Sequence, residues 1–195
     1  MSESIQKLVK ERISDSVNLK KSVLENEELT GNIEDIALAI VKALKNGGKI
    51  VLCGNGGSAS DALHFAGEIV GRFQKERAAW PAVVLNADVA TMTAIANDYS
   101  YDDMFARQAE AHVTSKDVFI GISTSGNSKN VLKAVNLSKD KGAVTVGFLG
   151  KDGGEISKAA DYSLVVPSNV TARIQEVHIL AIHIICEIVE TYMVK

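Results

Sequence analysis

The chain has 195 residues, enough for one domain with a substantial core and an appendage. Hydrophobic residues make up 46% and charged residues 23%, a composition typical of a globular protein in water. The formal net charge is -3 and no Lys/Arg cluster occurs, which argues against electrostatically driven binding to nucleic acid.

Neither end of the chain reads as a targeting or membrane segment. Residues 1–4 lack the basic and apolar regions of a signal peptide. The apolar C-terminal stretch contains His183 and Glu187, so it is not predicted to span a membrane. Cys53 and Cys186 each lie in an apolar run and are expected to be buried and unpaired. We therefore expect a cytoplasmic protein.

Two helical patterns come first in the chain. Apolar residues recur at helical spacing over residues 5–24 and again over 33–44, where Gly47-Gly48 ends the second helix. An amphipathic helix at the edge of a small domain often packs against another subunit, although packing on its own core is an equally simple alternative. Residues 1–31 are thus interpreted as an N-terminal helical segment for oligomerisation, followed by one domain over 32–195.

From residue 49 the pattern alternates between strands and helices. Strands are predicted at 49–53, 82–85, 117–122, 143–149 and 162–166. Helices are predicted at 58–72, 88–97, 102–113, 128–141, 154–160 and 171–193. This alternation predicts an α/β fold, a three-layer doubly wound sandwich with a mainly parallel five-stranded sheet. Ligands of such sheets bind beyond the carboxyl ends of the strands.

Two polar, glycine-containing turns follow apolar strands at those ends. Residues 54–58 read Gly-Asn-Gly-Gly-Ser, and residues 123–128 read Ser-Thr-Ser-Gly-Asn-Ser. A strand that turns into a helix through small polar residues leaves backbone N–H groups free for an anion. The second turn, with four hydroxyl residues in six positions, is predicted to bind phosphate, and Ser128 suits the N-cap of the next helix. The first turn is neither a P-loop nor a dinucleotide fingerprint.

Two histidine–glutamate pairs are spaced four residues apart within predicted helices: His64 with Glu68, and His183 with Glu187. This spacing places both side chains of a pair on one helix face. An imidazole and a carboxylate in this arrangement can hold a divalent metal or share acid–base work. For either pair alone, a hydrogen bond at a helix–helix contact is the simpler interpretation.

Other polar positions carry a weaker signal. Asn97-Asp98 ends a predicted helix and would alone indicate only a helix stop. Thr171 is predicted to cap the last helix, and Arg173 in its first turn can meet a phosphate or a carboxylate. His112 and His178 have no evident partner and are expected to be structural.

Together these motifs are specific enough to indicate a protein family. The chain resembles the sugar isomerase (SIS) superfamily and, within it, the bacterial phosphoheptose isomerases, over essentially its whole length. The resemblance implies the SIS fold for residues 32–195. The matching strings are Cys-Gly-Asn-Gly-Gly-Ser-Ala-Ser-Asp-Ala (53–62), His-Phe-Ala-Gly-Glu (64–68), Thr-Ala-Ile-Ala-Asn-Asp (93–98), residues 122–127, Thr-Ala-Arg-Ile-Gln-Glu-Val-His (171–178) and residues 183–187.

The resemblance implies an enzyme that converts D-sedoheptulose 7-phosphate to D-glycero-D-manno-heptose 7-phosphate through an enediol, the first step toward ADP-heptose and lipopolysaccharide core. It further implies a homotetramer with sites at subunit interfaces and one Zn²⁺ per subunit. The implied catalytic residues are Glu68 and His183. The implied zinc ligands are His64, Glu68, Gln175 and His183. The implied substrate contacts are Asn55, Gly56, Gly57, Glu68, Asn97, Asp98, Ser123, Thr124, Ser125, Ser128 and Gln175.

One implied ligand fits the helix geometry poorly. Gln175 and His183 are eight residues apart on the last helix, roughly 12 Å along its axis, so the sequence alone would not select Gln175 as a ligand.

A second interpretation comes from a different functional class: a non-catalytic SIS tetramer that binds the bacterial replication initiator protein. The combination of His64, Glu68, Gln175 and His183 favours the enzyme. A sugar-phosphate-sensing regulator is a third possibility, but no DNA-binding helix pair precedes the core.

Overall fold

The computed structural model describes residues 2–194 of the chain, with side chains from residue 4 onward. Two helices come first, α1 (Ser2–Leu24) and α2 (Glu27–Lys45). Asn26 caps α2, because its side-chain oxygen accepts a hydrogen bond from the backbone N–H of Leu29 at 3.1 Å. The second helix therefore begins earlier than its apolar spacing indicates, and the predicted division at residues 31 and 32 falls inside it.

The remaining chain forms a parallel sheet with helices between its strands. The strands run in the order β2-β1-β3-β4-β5, and every neighbouring pair is parallel, which confirms the predicted doubly wound fold. A short 3-10 turn at Tyr101–Asp103 precedes α5. The strands are β1 (Ile50–Gly54), β2 (Ala82–Val84), β3 (Val118–Ser123), β4 (Val144–Gly150) and β5 (Tyr162–Val166). The helices are α3 (Gly57–Val70), α4 (Val89–Asp98), α5 (Met104–His112), α6 (Lys129–Asp140), α7 (Gly154–Ala159) and α8 (Thr171–Met193).

Helices cover both faces of the sheet, so the central strands are buried on both sides. In β1, Ile50 and Leu52 pack with α2, α3 and α8, whereas Val51 and Cys53 pack with α5 and α6. All residues of β1 and β3 are buried. This explains why these strands are continuous apolar runs rather than alternating ones. Burying a side chain such as that of Leu52 contributes about 1.5–3 kcal/mol.

The two cysteines lie on opposite faces of the sheet. Cys53 belongs to the cluster with α5 and α6, and Cys186 to the cluster with α2 and α3. Both are buried and free, as expected. Burial raises the pKa of both thiols, that of Cys186 to about 12, so neither supplies a thiolate nucleophile near neutral pH.

The strand order reverses direction between β1 and β3, which lie side by side in the sheet. The connections that leave these two strands run to opposite sides and open a crevice at their carboxyl ends. Both polar turns singled out in the sequence lie at this crevice. Among the described residues, no helix is long and apolar enough to cross a membrane.

Candidate active site

The turn after β3 forms a cluster of hydroxyl groups. The Oγ of Ser123 lies 2.9 Å from that of Ser128 and 3.3 Å from that of Ser125. Ser128 stands at the N-cap position of α6, as predicted, but its side chain bonds to Ser123 and makes no capping hydrogen bond. The N–H of Val131 bonds to the side chain of Asn130, whereas those of Lys129 and Asn130 have no side-chain acceptor among the described residues, and an anion suits them.

A glycine allows this turn to close tightly. Gly126 has φ +69°, and any Cβ at this position would overlap the backbone of Gly153. Asn127 fastens the turn to α7, because its side-chain oxygen accepts a hydrogen bond from the N–H of Glu155 at 3.1 Å. The turn that carries the hydroxyl cluster is thus held against the start of α7.

The turn after β1 is locked to the start of α6 by a pair of amides. Asn55 and Asn130 exchange two hydrogen bonds of 2.9 Å, and the hydroxyl of Tyr101 donates to the same Asn55 oxygen at 2.7 Å. Both lone pairs of that oxygen are therefore used, and one N–H of Asn55 remains for a ligand. Sequence analysis did not single out Asn130 or Tyr101. The only available signal was an amide two residues after Ser128.

Three titratable side chains from α3 and α8 meet at one point. His64 Nε2 lies 3.0 Å from Glu68 Oε1 and 3.4 Å from His183 Nε2, and the three ligand atoms all lie within 4.8 Å of one another. We call these residues the His64–Glu68–His183 cluster. The His64 side chain is 44% exposed and that of Glu68 23%, so a small molecule can reach the cluster.

The donor set of this cluster fits a divalent metal. Two imidazole nitrogens and one carboxylate oxygen are a set that Zn²⁺ commonly takes. Without a cation, a single proton on His64 Nε2 can be donated to Glu68 Oε1 or to His183 Nε2 but not fully to both, so one of these two atoms keeps a lone pair without a donor. A metal ion satisfies all three atoms. The separation of 3.4 Å between the two nitrogens equals the edge expected of a tetrahedral site with bonds of about 2.1 Å.

Comparisons with known proteins identify the family of the chain. The SIS domain family matches residues 14–150. A phosphoheptose isomerase from Sulfurimonas denitrificans is 49% identical over 186 residues, which cover 95% of each protein. One from Helicobacter pylori (strain P12) is 50% identical over 183 residues and 94% of each protein. The chain belongs to the phosphoheptose isomerase family of SIS domain proteins.

Solved structures extend the likeness to three dimensions. The phosphoheptose isomerase from Neisseria gonorrhoeae superposes with a TM-score of 0.90 at 39% identity, over 96% of this chain and 99% of that one. The initiator-binding alternative is not favoured, since relatives at about half identity over nearly the whole chain are phosphoheptose isomerases.

Not every residue that the family resemblance implies lies in the cluster. The Gln175 side chain packs against Gly57 at the start of α3, where it excludes any Cβ. Asn97 and Asp98 end α4 and are exposed, and the side-chain amide of Asn97 donates to Asp98 at 2.9 Å. Thr124 and Gly56 lie in the two turns, Thr124 half-buried and Gly56 exposed with φ +57°.

Three predictions from the sequence are wrong or narrower than expected. Glu187 is exposed and lies outside the cluster, so His183 pairs with α3 and not along its own helix. Val170, not Thr171, is the N-cap of α8, and no side chain caps this helix. Arg173 contacts the carboxylate of Glu176 and the backbone carbonyl of Arg12, so the carboxylate alternative holds in this structure.

Two further ionisable groups lie on the helices that carry the cluster. Asp61, one turn before His64 on α3, has a buried oxygen that finds no hydrogen-bond partner in the described part of the chain. Burial raises the pKa of this carboxyl against the opposing effect of His64. His178 is fully buried, and its Nε2 lies 2.9 Å from the carbonyl oxygen of Leu149. His178 is therefore structural, as predicted.

Proposed function

We propose that this protein isomerises D-sedoheptulose 7-phosphate to D-glycero-D-manno-heptose 7-phosphate in the cytoplasm, where its two free thiols stay reduced. The observation that carries this proposal is the convergence of His64, Glu68 and His183 in a chain that matches a phosphoheptose isomerase over 95% of its length. This reaction is the entry to ADP-heptose, and the lipopolysaccharide core is its expected destination.

The crevice offers separate places for the two ends of the substrate. The hydroxyls of Ser123, Ser125 and Ser128, with the N-terminus of α6, bind the phosphate. Asn55 presents its free N–H beside them. The cluster begins at His64, seven residues after Gly57 and about 10 Å further along α3. A seven-carbon phosphate needs such a separation between its anchor and its reacting carbons, and remote binding helps to place C1 and C2.

The proposed chemistry assigns one proton transfer to each of two residues. Glu68 takes the proton from C1 and returns it to C2 through an enediol. Glu68 Oε1 faces His64, so Oε2 is the oxygen left for this transfer. His183 moves the proton between the two neighbouring oxygens through Nδ1, because its Nε2 is the nitrogen that faces His64 in the cluster. Zn²⁺ held by His64, Glu68 and His183, with Gln175 as the fourth ligand that the family resemblance implies, would polarise the carbonyl.

A homotetramer is the assembly that we infer, and the exposed apolar surface supports it. Six apolar side chains of the first helix range from 45% to 75% exposed: Ile5, Leu8, Val9, Ile13, Val17 and Leu24. A groove of about 390 Å³ between α2 and α8 is lined by Ile33, Leu38, Ile184 and Tyr192. Contiguous apolar surface of this kind marks protein–protein contacts. Light scattering on the purified chain tests this, and a monomer would contradict it.

The Glu68 assignment is tested by following the reaction in D₂O by NMR. We expect solvent deuterium at C2 of the product. Glu68→Gln keeps the shape of the side chain but cannot take the proton, so turnover should fall about 10²- to 10⁴-fold. Glu187→Gln is the matched control, since Glu187 is exposed one turn after His183. Near-normal turnover by folded Glu68→Gln would contradict the assignment.

A further inference from the structure

A buried ion pair lies outside the turns and the cluster described above. Arg77 Nε donates to Glu190 Oε1 at 3.0 Å, and the two side chains are only 4% and 2% exposed. Removing two charges from water is costly, so a pair like this persists only where further hydrogen bonds satisfy both groups. The partners of each group therefore indicate what the pair holds in place.

Glu190 holds the loop that follows α3. Its Oε1 accepts the N–H of Phe73 at 2.9 Å, and its Oε2 accepts those of Gln74 and Lys75 at 2.9 and 2.8 Å. With Arg77, each carboxylate oxygen accepts two hydrogen bonds. These contacts fasten the backbone of the loop to α8, the helix that carries His183.

Arg77 holds the end of α3 itself. Its two terminal nitrogens donate to the carbonyl oxygens of Glu68 at 2.8 Å and Ile69 at 3.0 Å. These carbonyls lie in the last turn of α3, where a helix has no partners of its own for them. The guanidinium also stacks over the ring of Trp80 at 3.6 Å. The backbone of Glu68 is thus fixed by a residue nine positions later in the chain.

The same loop places an aromatic ring on the cluster. The ring of Phe73 stacks on that of His183, with centroids 5.7 Å apart and planes at 21°. Phe73 is half-buried, and its backbone N–H is one of the three that Glu190 accepts. One set of contacts therefore sets both the main chain of Glu68 and the ring plane of His183.

We propose that Arg77, Glu190 and Phe73 act as positioning residues that hold Glu68 and His183 at the separation needed to bind a divalent metal. We call them the Arg77–Glu190–Phe73 network. This proposal rests on the proposed function, because its effect is measured at the His64–Glu68–His183 cluster. None of the three residues supplies a ligand atom to the cluster.

Glu190→Gln is the variant that breaks the network with the least change of shape. Whichever way its amide points, an NH₂ group replaces an oxygen that accepted two hydrogen bonds. Asp117→Asn is the matched control, because Asp117 is equally buried and accepts hydrogen bonds from Lys49 and Thr114. Asp117 lies at the amino ends of β1 and β3, away from the site.

Cobalt(II) alone is the first probe, since its visible absorption bands report binding without turnover. Loss of an outer partner of a metal ligand typically weakens affinity about 10- to 100-fold, and we expect this loss in Glu190→Gln and in Phe73→Leu. The kcat should fall in parallel while KM stays nearly unchanged, because the phosphate anchor is remote. Phe73→Leu leaves the backbone hydrogen bond to Glu190 intact, so it should lose affinity at little cost in stability.

The outcomes separate this proposal from the function on which it rests. Wild-type affinity in folded Glu190→Gln, or an equal loss in Asp117→Asn, would overturn the network. If the unsubstituted protein binds no cobalt, the metal site of the proposed function is wrong. The network is then tested by NMR alone, through the resonances of the His183 ring in the metal-free protein. These resonances should move in Glu190→Gln and stay in place in Asp117→Asn. Unmoved resonances in Glu190→Gln would contradict the proposal whatever the metal does.

Discussion

Mild acid should destabilise the fold through His178. This side chain is buried on α8 beside Phe148, and its Nε2–H donates to the carbonyl oxygen of Leu149. Its Nδ1 has no hydrogen-bond partner among the described residues. Burial lowers the pKa of His178 from 6.5 to about 4, because a charged imidazole cannot be solvated there, and the hydrogen bond to Leu149 offsets only part of this effect.

The sign and size follow from proton binding by the two states. Between about pH 6.5 and pH 4 the unfolded chain binds a proton at His178 that the native state does not bind. The contribution of neutral His178 to the free energy of unfolding is therefore complete above this window and is lost as pH falls through it. The full difference in the pKa of His178 between the unfolded and native states corresponds to about 3 kcal/mol in the free energy of unfolding. About 2 kcal/mol of this is lost between about pH 8 and pH 5. This is a large share of the 5–15 kcal/mol that stabilises a typical domain.

Urea unfolding at several pH values measures this loss, at one fixed protein concentration because assembly adds to stability. His178→Gln is the comparison, since its amide can donate to Leu149 but does not titrate. A difference in stability between the two proteins at high pH does not affect the test, which compares how steeply the free energy of unfolding of each protein changes with pH. Wild-type and variant profiles that run parallel down to about pH 5 would show that His178 does not cause the loss of stability.

Three further predictions concern the two turns. Gly126→Ala should lower the free energy of unfolding by about 1–3 kcal/mol or more and weaken phosphate binding, because φ is +69° and the added Cβ overlaps backbone atoms. Gly47→Ala is the comparison: φ is +75° but the space around it is open, so this variant should lose only the free energy of the conformational strain. Thermal unfolding compares the two variants. Ser125→Ala should raise KM for the sugar phosphate about 10-fold with kcat little changed, and an unchanged KM would remove this hydroxyl from the phosphate site. Asn130→Asp cannot donate to Asn55 and adds negative charge beside the anion site, so inhibition by inorganic phosphate should weaken about 10- to 100-fold; unaltered inhibition would contradict the placement of Asn55.

The architecture was readable from the sequence because its signals are local. The apolar runs of β1 and β3 have no polar face, which is expected only where helices cover both sides of a strand. Polar turns after those runs placed the ligand edge, since the carboxyl ends of neighbouring parallel strands meet there. Ser123 to Ser128 was predicted as one phosphate turn and forms one hydroxyl cluster.

The His64–Glu68–His183 cluster could be predicted only in part from the sequence, because it depends on how α3 packs against α8. The spacing of His64 and Glu68 predicted a shared face, but His183 and Glu187 have the same spacing, and Glu187 lies outside the cluster. No local pattern distinguishes these two pairs; tertiary packing does. Gln175 was implied by family resemblance alone, and its contact with Gly57 could not be derived from spacing along one helix.

The Arg77–Glu190 ion pair could not be predicted from the sequence either, because it too depends on tertiary packing. The two residues are 113 positions apart, and in the sequence both read as ordinary surface charges. Their burial depends on a loop without regular secondary structure that folds back over α3. Asn130 and Tyr101 were missed similarly, since a lone amide or tyrosine near a turn has no distinctive spacing.

The most direct test of the account is turnover of D-sedoheptulose 7-phosphate before chelation, after chelation, and after Zn²⁺ is restored, in the unsubstituted protein and in His64→Ala. We expect conversion to the aldoheptose 7-phosphate that falls on chelation and returns with Zn²⁺, and no recovery in His64→Ala. Turnover that is indifferent to chelation would contradict the metal site, and a folded, zinc-loaded protein without turnover would contradict the proposed function.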